Sequence, residues 1–188
     1  AHKVAGIATT YIYLGVYLDT VLLGTLQFGY AMNAASMDKV VSDTGIKEYL
    51  ELNRMWLDDK AVRNSESKAI SYCIKYIRKK FPKIKWIQSF ADERCGGLGI
   101  VYQAANFKYY GTHTSIFWLL NNQWYHNIAM TMKDPKKSNK SDKYLQANKE
   151  LAEKIELRQF RYIYFIYQNI IKKCLLEEKK YPKHYKND

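Results

Sequence analysis

Between Lys85 and Gly111 apolar runs and chain breakers alternate so closely that few folds fit them. Lys85-Trp86-Ile87-Gln88-Ser89-Phe90 reads as a strand whose next turn carries Asp92. Gly96, Gly97 and Gly99 then supply a turn, Tyr102 to Asn106 sits in a short helix, and Phe107 to Tyr110 opens a second aromatic strand. Strand, glycine turn and helix in that order belong to α/β folds, where ligands collect beyond strand ends and at helix starts.

The flanking sequence extends this pattern. Tyr11 to Tyr17 and Thr20 to Tyr30 are rich in β-branched and aromatic residues on either side of Leu18-Asp19-Thr20, which predicts an antiparallel hairpin. A polar linker from Asn33 to Gly45 leads to a third strand at Glu48 to Leu57. Asn64-Ser65-Glu66-Ser67 then offers cap residues before Ala69, Ile70, Cys73, Ile74 and Ile77, whose helical spacing runs until Phe81-Pro82. Ser115 to Leu120 and Gln123 to His126 are expected to pair across Asn121-Asn122. Leu145 to Gln159 looks helical, and Phe160 to Tyr167 reads as a buried aromatic strand.

These elements predict one domain in three parts: a core over 1–132, a basic linker over 133–143, and 144–188 contributing a helix and a strand to the same core. The first residue is Ala1 rather than Met, which leaves room for an upstream segment. Thirty Lys and Arg against 18 Asp and Glu give a net charge of +12 at pH 7, which favours an anionic partner such as nucleic acid or a phosphate-bearing cofactor. Cys73, Cys95 and Cys174 lack zinc or disulfide spacing and point to a reducing compartment. The N-terminal apolar stretch is interrupted by Tyr, Thr and Asp19, so neither a signal peptide nor a membrane span is expected. The sequence does not set the oligomeric state.

The order of strands and helices resembles the Gcn5-related acyltransferases. That resemblance implies an α/β (α+β) fold with a mixed sheet, splayed central strands and flanking helices. It also implies a donor pyrophosphate at the N-terminus of the helix after the third strand, near Asn64, Ser65, Ser67 and Lys68. The glycines of the coenzyme A loop are replaced there by Arg63-Asn64-Ser65-Glu66-Ser67-Lys68, so the backbone approaches an anion less closely.

A longer resemblance is to the Mom-type DNA-modification proteins of bacteriophages. It is carried by Glu51-Leu52-Asn53-Arg54-Met55-Trp56, Asn64-Ser65-Glu66-Ser67, Ser89-Phe90-Ala91-Asp92, Ile100 to Phe107, Tyr110-Gly111, Arg161 to Phe165 and Tyr181-Pro182-Lys183. It implies transfer of an acetamido (carbamoylmethyl) group to the exocyclic amine of adenine in phage DNA, which protects that DNA from restriction in the cytoplasm of the bacterial host. Double-stranded DNA is then the acceptor, and acetyl-CoA, another small molecule or an aminoacylated RNA the donor. Iron is implied as a cofactor, with His2 as the residue that matches a family histidine.

The adenine amine is a poor nucleophile, because its lone pair is delocalised into the ring. A transferase must position it, take its proton and stabilise developing charge. Asp92, at a strand end, is the candidate for orienting or deprotonating the amine, although a helix N-cap asks for the same residue. Tyr102 is the candidate for protonating a leaving group or holding the base; a buried aromatic is the bland alternative. Arg54, Gln103, Lys136, Lys137, Trp124 and Tyr125 are candidates for contacting DNA, the aromatics by stacking on a displaced base. Two other readings stay open: a catalytically silent DNA-binding or counter-defence protein, and an ordinary amine acetyltransferase.

Overall fold

The computed structural model describes residues 10–31, 34–95, 97–134 and 138–183. Strands β1 (Thr10–Leu18) and β2 (Val21–Gly29) form the expected hairpin, with Asp19 at the positive φ of 53° that a two-residue turn requires. β3 (Tyr49–Leu57) pairs antiparallel with β2, and helix α1 (Ser65–Lys80) follows. α1 buries Ala69, Ile70, Cys73, Ile74 and Ile77, one stripe at helical spacing, each large aliphatic contributing about 1.5–3 kcal/mol of burial. β4 (Trp86–Asp92) returns parallel to β3. Helix α2 (Ile100–Ala104) leads to β5 (Lys108–Leu120), β6 (Gln123–His126), helices α3 (Asn127–Thr131) and α4 (Lys140–Ala147), and β7 (Glu153–Phe165).

All seven strands share one mixed sheet in the order β1-β2-β3-β4-β7-β5-β6. The mixed α/β architecture with flanking helices is thus the one the sequence predicts. β7 lies between β4 and β5 and is antiparallel to both, so the last strand in sequence occupies the middle of the sheet. One face is covered by α1 and α2 over Leu26, Phe28, Leu50, Ile87 and Tyr162. The opposite face packs Tyr49, Trp86, Ile163 and Phe165 beneath two chain segments, a 3-10 turn at Ala34–Lys39 and another at Gln168–Lys173.

Several expectations need correction. The helix expected over Leu145 to Gln159 is instead α4, ending at Ala147, and the start of β7. Ile155 and Leu157 lean inward between exposed neighbours, and that two-residue period wins over the helical propensity of Glu, Lys and Gln. The linker expected over 133–143 already contains the first turn of α4, fixed by a reciprocal capping box between Asn139 and Asp142. The strands expected at Phe107 to Tyr110 and Ser115 to Leu120 are one, β5, which starts at Lys108 and carries a bulge beside Gly111.

Candidate active site

A cleft opens where β3 and β4 separate. Their parallel pairing lasts only from Tyr49–Trp86 to Glu51–Gln88, and Ser89 Oγ, donating to the Leu52 carbonyl at 3.2 Å, is the last link between them. The cause is a bulge in β3: Gln27 pairs with Arg54 while Phe28 pairs with Leu52, leaving Asn53 as the extra residue. Leu52 and Met55 both pack on the α1 side, so the two residues between them, Asn53 and Arg54, project from the opposite face.

The cleft has two chambers that share Glu66, Ile100 and Val101. The larger, 580 Å³, passes between the strands and is lined by Asn53, Arg54, Trp56, Phe90, Asp92 and Tyr102, among others. The smaller, 460 Å³, lies between the start of α1 and α2 and includes Asp58, Asp59, Arg63, Asn64, Ser65 and Ser67.

Asp92 and Tyr102 therefore face one cavity, and each is held by neighbours. Arg94 donates from Nε to both Asp92 oxygens (3.1 and 2.9 Å), from Nη2 to Oδ2 (2.6 Å) and from its backbone N–H to Oδ1 (2.9 Å). The same guanidinium lies 4.0 Å from the Phe117 ring centre and 5.8 Å from that of Trp124, which ties the carboxylate to the β5–β6 hairpin. The Tyr102 ring lies against Phe107 and Tyr162. Its helix starts after Gly99, whose φ of 73° suits glycine and whose missing side chain leaves room for the Tyr162 ring. The Tyr162 hydroxyl donates to the Leu98 carbonyl and accepts from Gln103 Nε2 at 3.0 Å. Burial pushes that phenol up to about 12, so it stays a neutral donor.

The other candidates are distributed unevenly. Arg54 lines the larger chamber. Gln103 lines neither chamber: its amide bonds the Leu98 carbonyl and Tyr162, a structural tie for the turn that carries Tyr102. Asn64 adopts a left-handed conformation with no side-chain cap bond, and Ser67 Oγ donates to the Asn64 carbonyl at 3.1 Å, so neither caps the helix as expected. Lys68 is exposed and lines neither chamber. Trp124 lines neither chamber and is 42% exposed beside Arg94, whereas Tyr125 is 7% exposed and packs with Leu120 and Leu145, which corrects its assignment as a stacking platform. His2, Lys136 and Lys137 lie outside the described residues.

Three lining residues escaped sequence reasoning. Arg94 carries no motif signal in the sequence, yet it anchors Asp92. Glu66 appeared only within the run of cap residues, and it lines both chambers. Asn53 Nδ2 donates to the Glu51 carboxylate (3.2 Å) and the Tyr30 carbonyl (3.4 Å), which fixes the amide and leaves its buried Oδ1 unpartnered beside the cleft. With Asp58, Asp59 and Glu66 around the start of α1, the smaller chamber is poorly suited to the pyrophosphate of coenzyme A. Among the described residues no group of three His, Cys, Asp or Glu side chains fits a metal ion such as iron. Nor, among those residues, is any helix long and apolar enough to cross a membrane.

Residues 2–183 match the Mom protein family. The methylcarbamoylase mom of Escherichia phage Mu is 48% identical over 177 residues, covering 93% of this chain and 73% of that protein. Among solved structures, an N-acetyltransferase from Staphylococcus aureus Mu50 aligns over 82% of this chain and 67% of its own, at 12% identity and a TM-score of 0.43. An aminoglycoside acetyltransferase in complex with coenzyme A and kanamycin aligns over 85% of this chain and 68% of its own, at 10% identity and a TM-score of 0.47.

Proposed function

Because the chain belongs to the Mom protein family, we propose that it is a transferase that places an acetamido or carbamoylmethyl group on the exocyclic amine of adenine in phage DNA, and so protects that DNA from restriction in the host cytoplasm. Its relationship to the phage Mu methylcarbamoylase across nearly the whole chain carries this reading. The cleft supplies what the reaction needs. The amine loses a proton as its new N–C bond forms, and the donor's leaving group takes one up. Asp92 orients the amine and accepts its proton, Arg94 fixes the carboxylate, and Tyr102 on the same cavity supplies a phenolic proton.

In duplex DNA the amine is reached by turning the adenine out of the stack, at a cost of a few kcal/mol by general experience. Trp124, exposed beside Arg94, and the aromatic walls Trp56 and Phe90 offer surfaces for the displaced base. Of the donors considered, an aminoacyl group suits the smaller chamber better than coenzyme A, since its ammonium meets Asp58, Asp59 and Glu66.

Mass spectrometry of nucleosides from the DNA of cells expressing the protein tests the reading. A modified deoxyadenosine that disappears in Asp92→Asn supports it. Unaltered DNA combined with salt-sensitive DNA binding indicates a silent binder instead, and acetylated lysines without altered DNA indicate an ordinary acetyltransferase.

A further inference from the structure

The sheet face opposite α1 and α2 carries a separate cavity of 370 Å³, lined by Ser36, Met37, Lys39, Tyr110, His113 and Arg161, among others. Arg161 projects from β7, and its guanidinium carbon lies 5.1 Å from the centre of the Phe90 ring. His113 meets the same ring edge-on, also at 5.1 Å. Phe90 is thus a shared wall: it lines the main cleft and also carries the cation of the second cavity.

Among the described residues no carboxylate makes an ion pair with Arg161. Glu51 attracts it at longer range, but the Glu51 oxygens are occupied by Gln88 Nε2 (2.8 Å) and Asn53 Nδ2 (3.2 Å). Among the described residues no hydrogen bond takes up the Arg161 guanidinium, which rests on the Phe90 ring beside a cavity that also holds Lys39, a setting in which arginine's forked donors bind phosphate. The cavity is smaller than the main cleft.

We propose that this cavity is the subsite for a backbone phosphate of the acceptor DNA strand, held by Arg161 with help from Lys39, while the target base turns past Phe90 into the cleft. The proposal rests on the DNA-modifying reading above. It commits to the acceptor because the cavity and the Asn53, Arg54 and Trp56 wall share one sheet face, whereas the smaller chamber lies with α1 and α2 on the other.

The test uses the full chain and a labelled duplex carrying an adenine that the protein modifies in cells. Each phosphate near that adenine is replaced in turn by an uncharged methylphosphonate, and binding is followed over a range of salt. One replacement is expected to weaken the wild-type protein about tenfold and to cost Arg161→Gln nothing further, because the charge pair is already broken. Arg161→Gln is also expected to lower the slope of log affinity against log salt by about one. If every methylphosphonate costs the variant as much as the wild type, the proposal falls. Should Arg161→Gln not fold by circular dichroism, the same cycle is run with Lys39→Gln, and additivity there overturns the proposal equally. A phosphate of the donor as the true ligand would show as donor KM rising in the variant with DNA affinity unchanged, which also overturns it. Failure of the wild type to modify any DNA sinks the underlying reading instead, and nucleoside analysis tells the two failures apart.

Discussion

Arg94 closes on Asp92 through three side-chain hydrogen bonds while its guanidinium lies on the Phe117 ring, so the orientation of the carboxylate is set by a strand hairpin remote in sequence. Asp92→Asn is expected to lower the yield of modified adenine by about 10² to 10⁴-fold, the range for a lost acid–base group. Arg94→Gln should give a smaller loss, and the double variant should be no worse than Asp92→Asn alone, because Arg94 acts through Asp92. Nucleoside mass spectrometry of all four proteins checks the coupling; additive losses contradict it.

Tyr102→Phe removes one hydroxyl and leaves the ring against Phe107 and Tyr162. Its rate is expected to fall about 10²-fold. A rate equal to that of the wild type would reduce Tyr102 to a packing residue.

Gly99→Ala asks an alanine to hold a φ of 73° and drives its methyl into the Tyr162 ring. Urea denaturation should show a loss of about 2–4 kcal/mol, and activity should fall as well because α2 carries Tyr102.

Trp124 and Tyr125 are adjacent in sequence but opposite in burial. Tyr125→Ala is expected to cost about 3–5 kcal/mol of stability. Trp124→Ala should change stability by about 1 kcal/mol or less and show its effect in DNA affinity. A matched pair of melting curves and binding isotherms separates them.

Glu51 is a buried carboxylate whose titration bears on the fold. Burial raises its pKa above the ordinary 4.5, opposed by the hydrogen bonds from Gln88 and Asn53 and by Arg161. A carboxylate with a raised folded-state pKa leaves stability fully present below its unfolded value and lost as pH rises through the folded value. Glu51→Gln should therefore flatten the decline in stability above pH 4.5. Its amide also offers a donor to Gln88 Oε1, which is buried without a partner, if the Gln88 amide turns over. Unfolding free energy measured from acid to neutral pH decides it; parallel curves for the two proteins refute the assignment.

Local signals made the framework legible. The first hairpin, α1 and β4 follow from period, turn residues and Phe81-Pro82, because each of these elements buries one face against a neighbour close in sequence. The start of β7 was not legible, since its inward Ile155 and Leu157 sit among residues that favour helix, and only pairing with β5 selects the strand. At the cleft, Asp92 and Tyr102 stood out by their place at a strand end and near a glycine turn. Arg94, Glu66 and Asn53 did not, because their importance comes from the β3 bulge and from the β5–β6 hairpin, features set by long-range pairing. Tyr125 shows the converse: turn-flanking position suggested exposure, and Leu145 from α4 buries it.

The insertion of β7 between β4 and β5 has a consequence for biosynthesis. Until translation has passed Phe165, the strand bearing Asp92 lacks its neighbour on one side, and β5 has nowhere to join the sheet. A chain cut short before Phe165 therefore lacks the strand that completes the sheet beside the pocket.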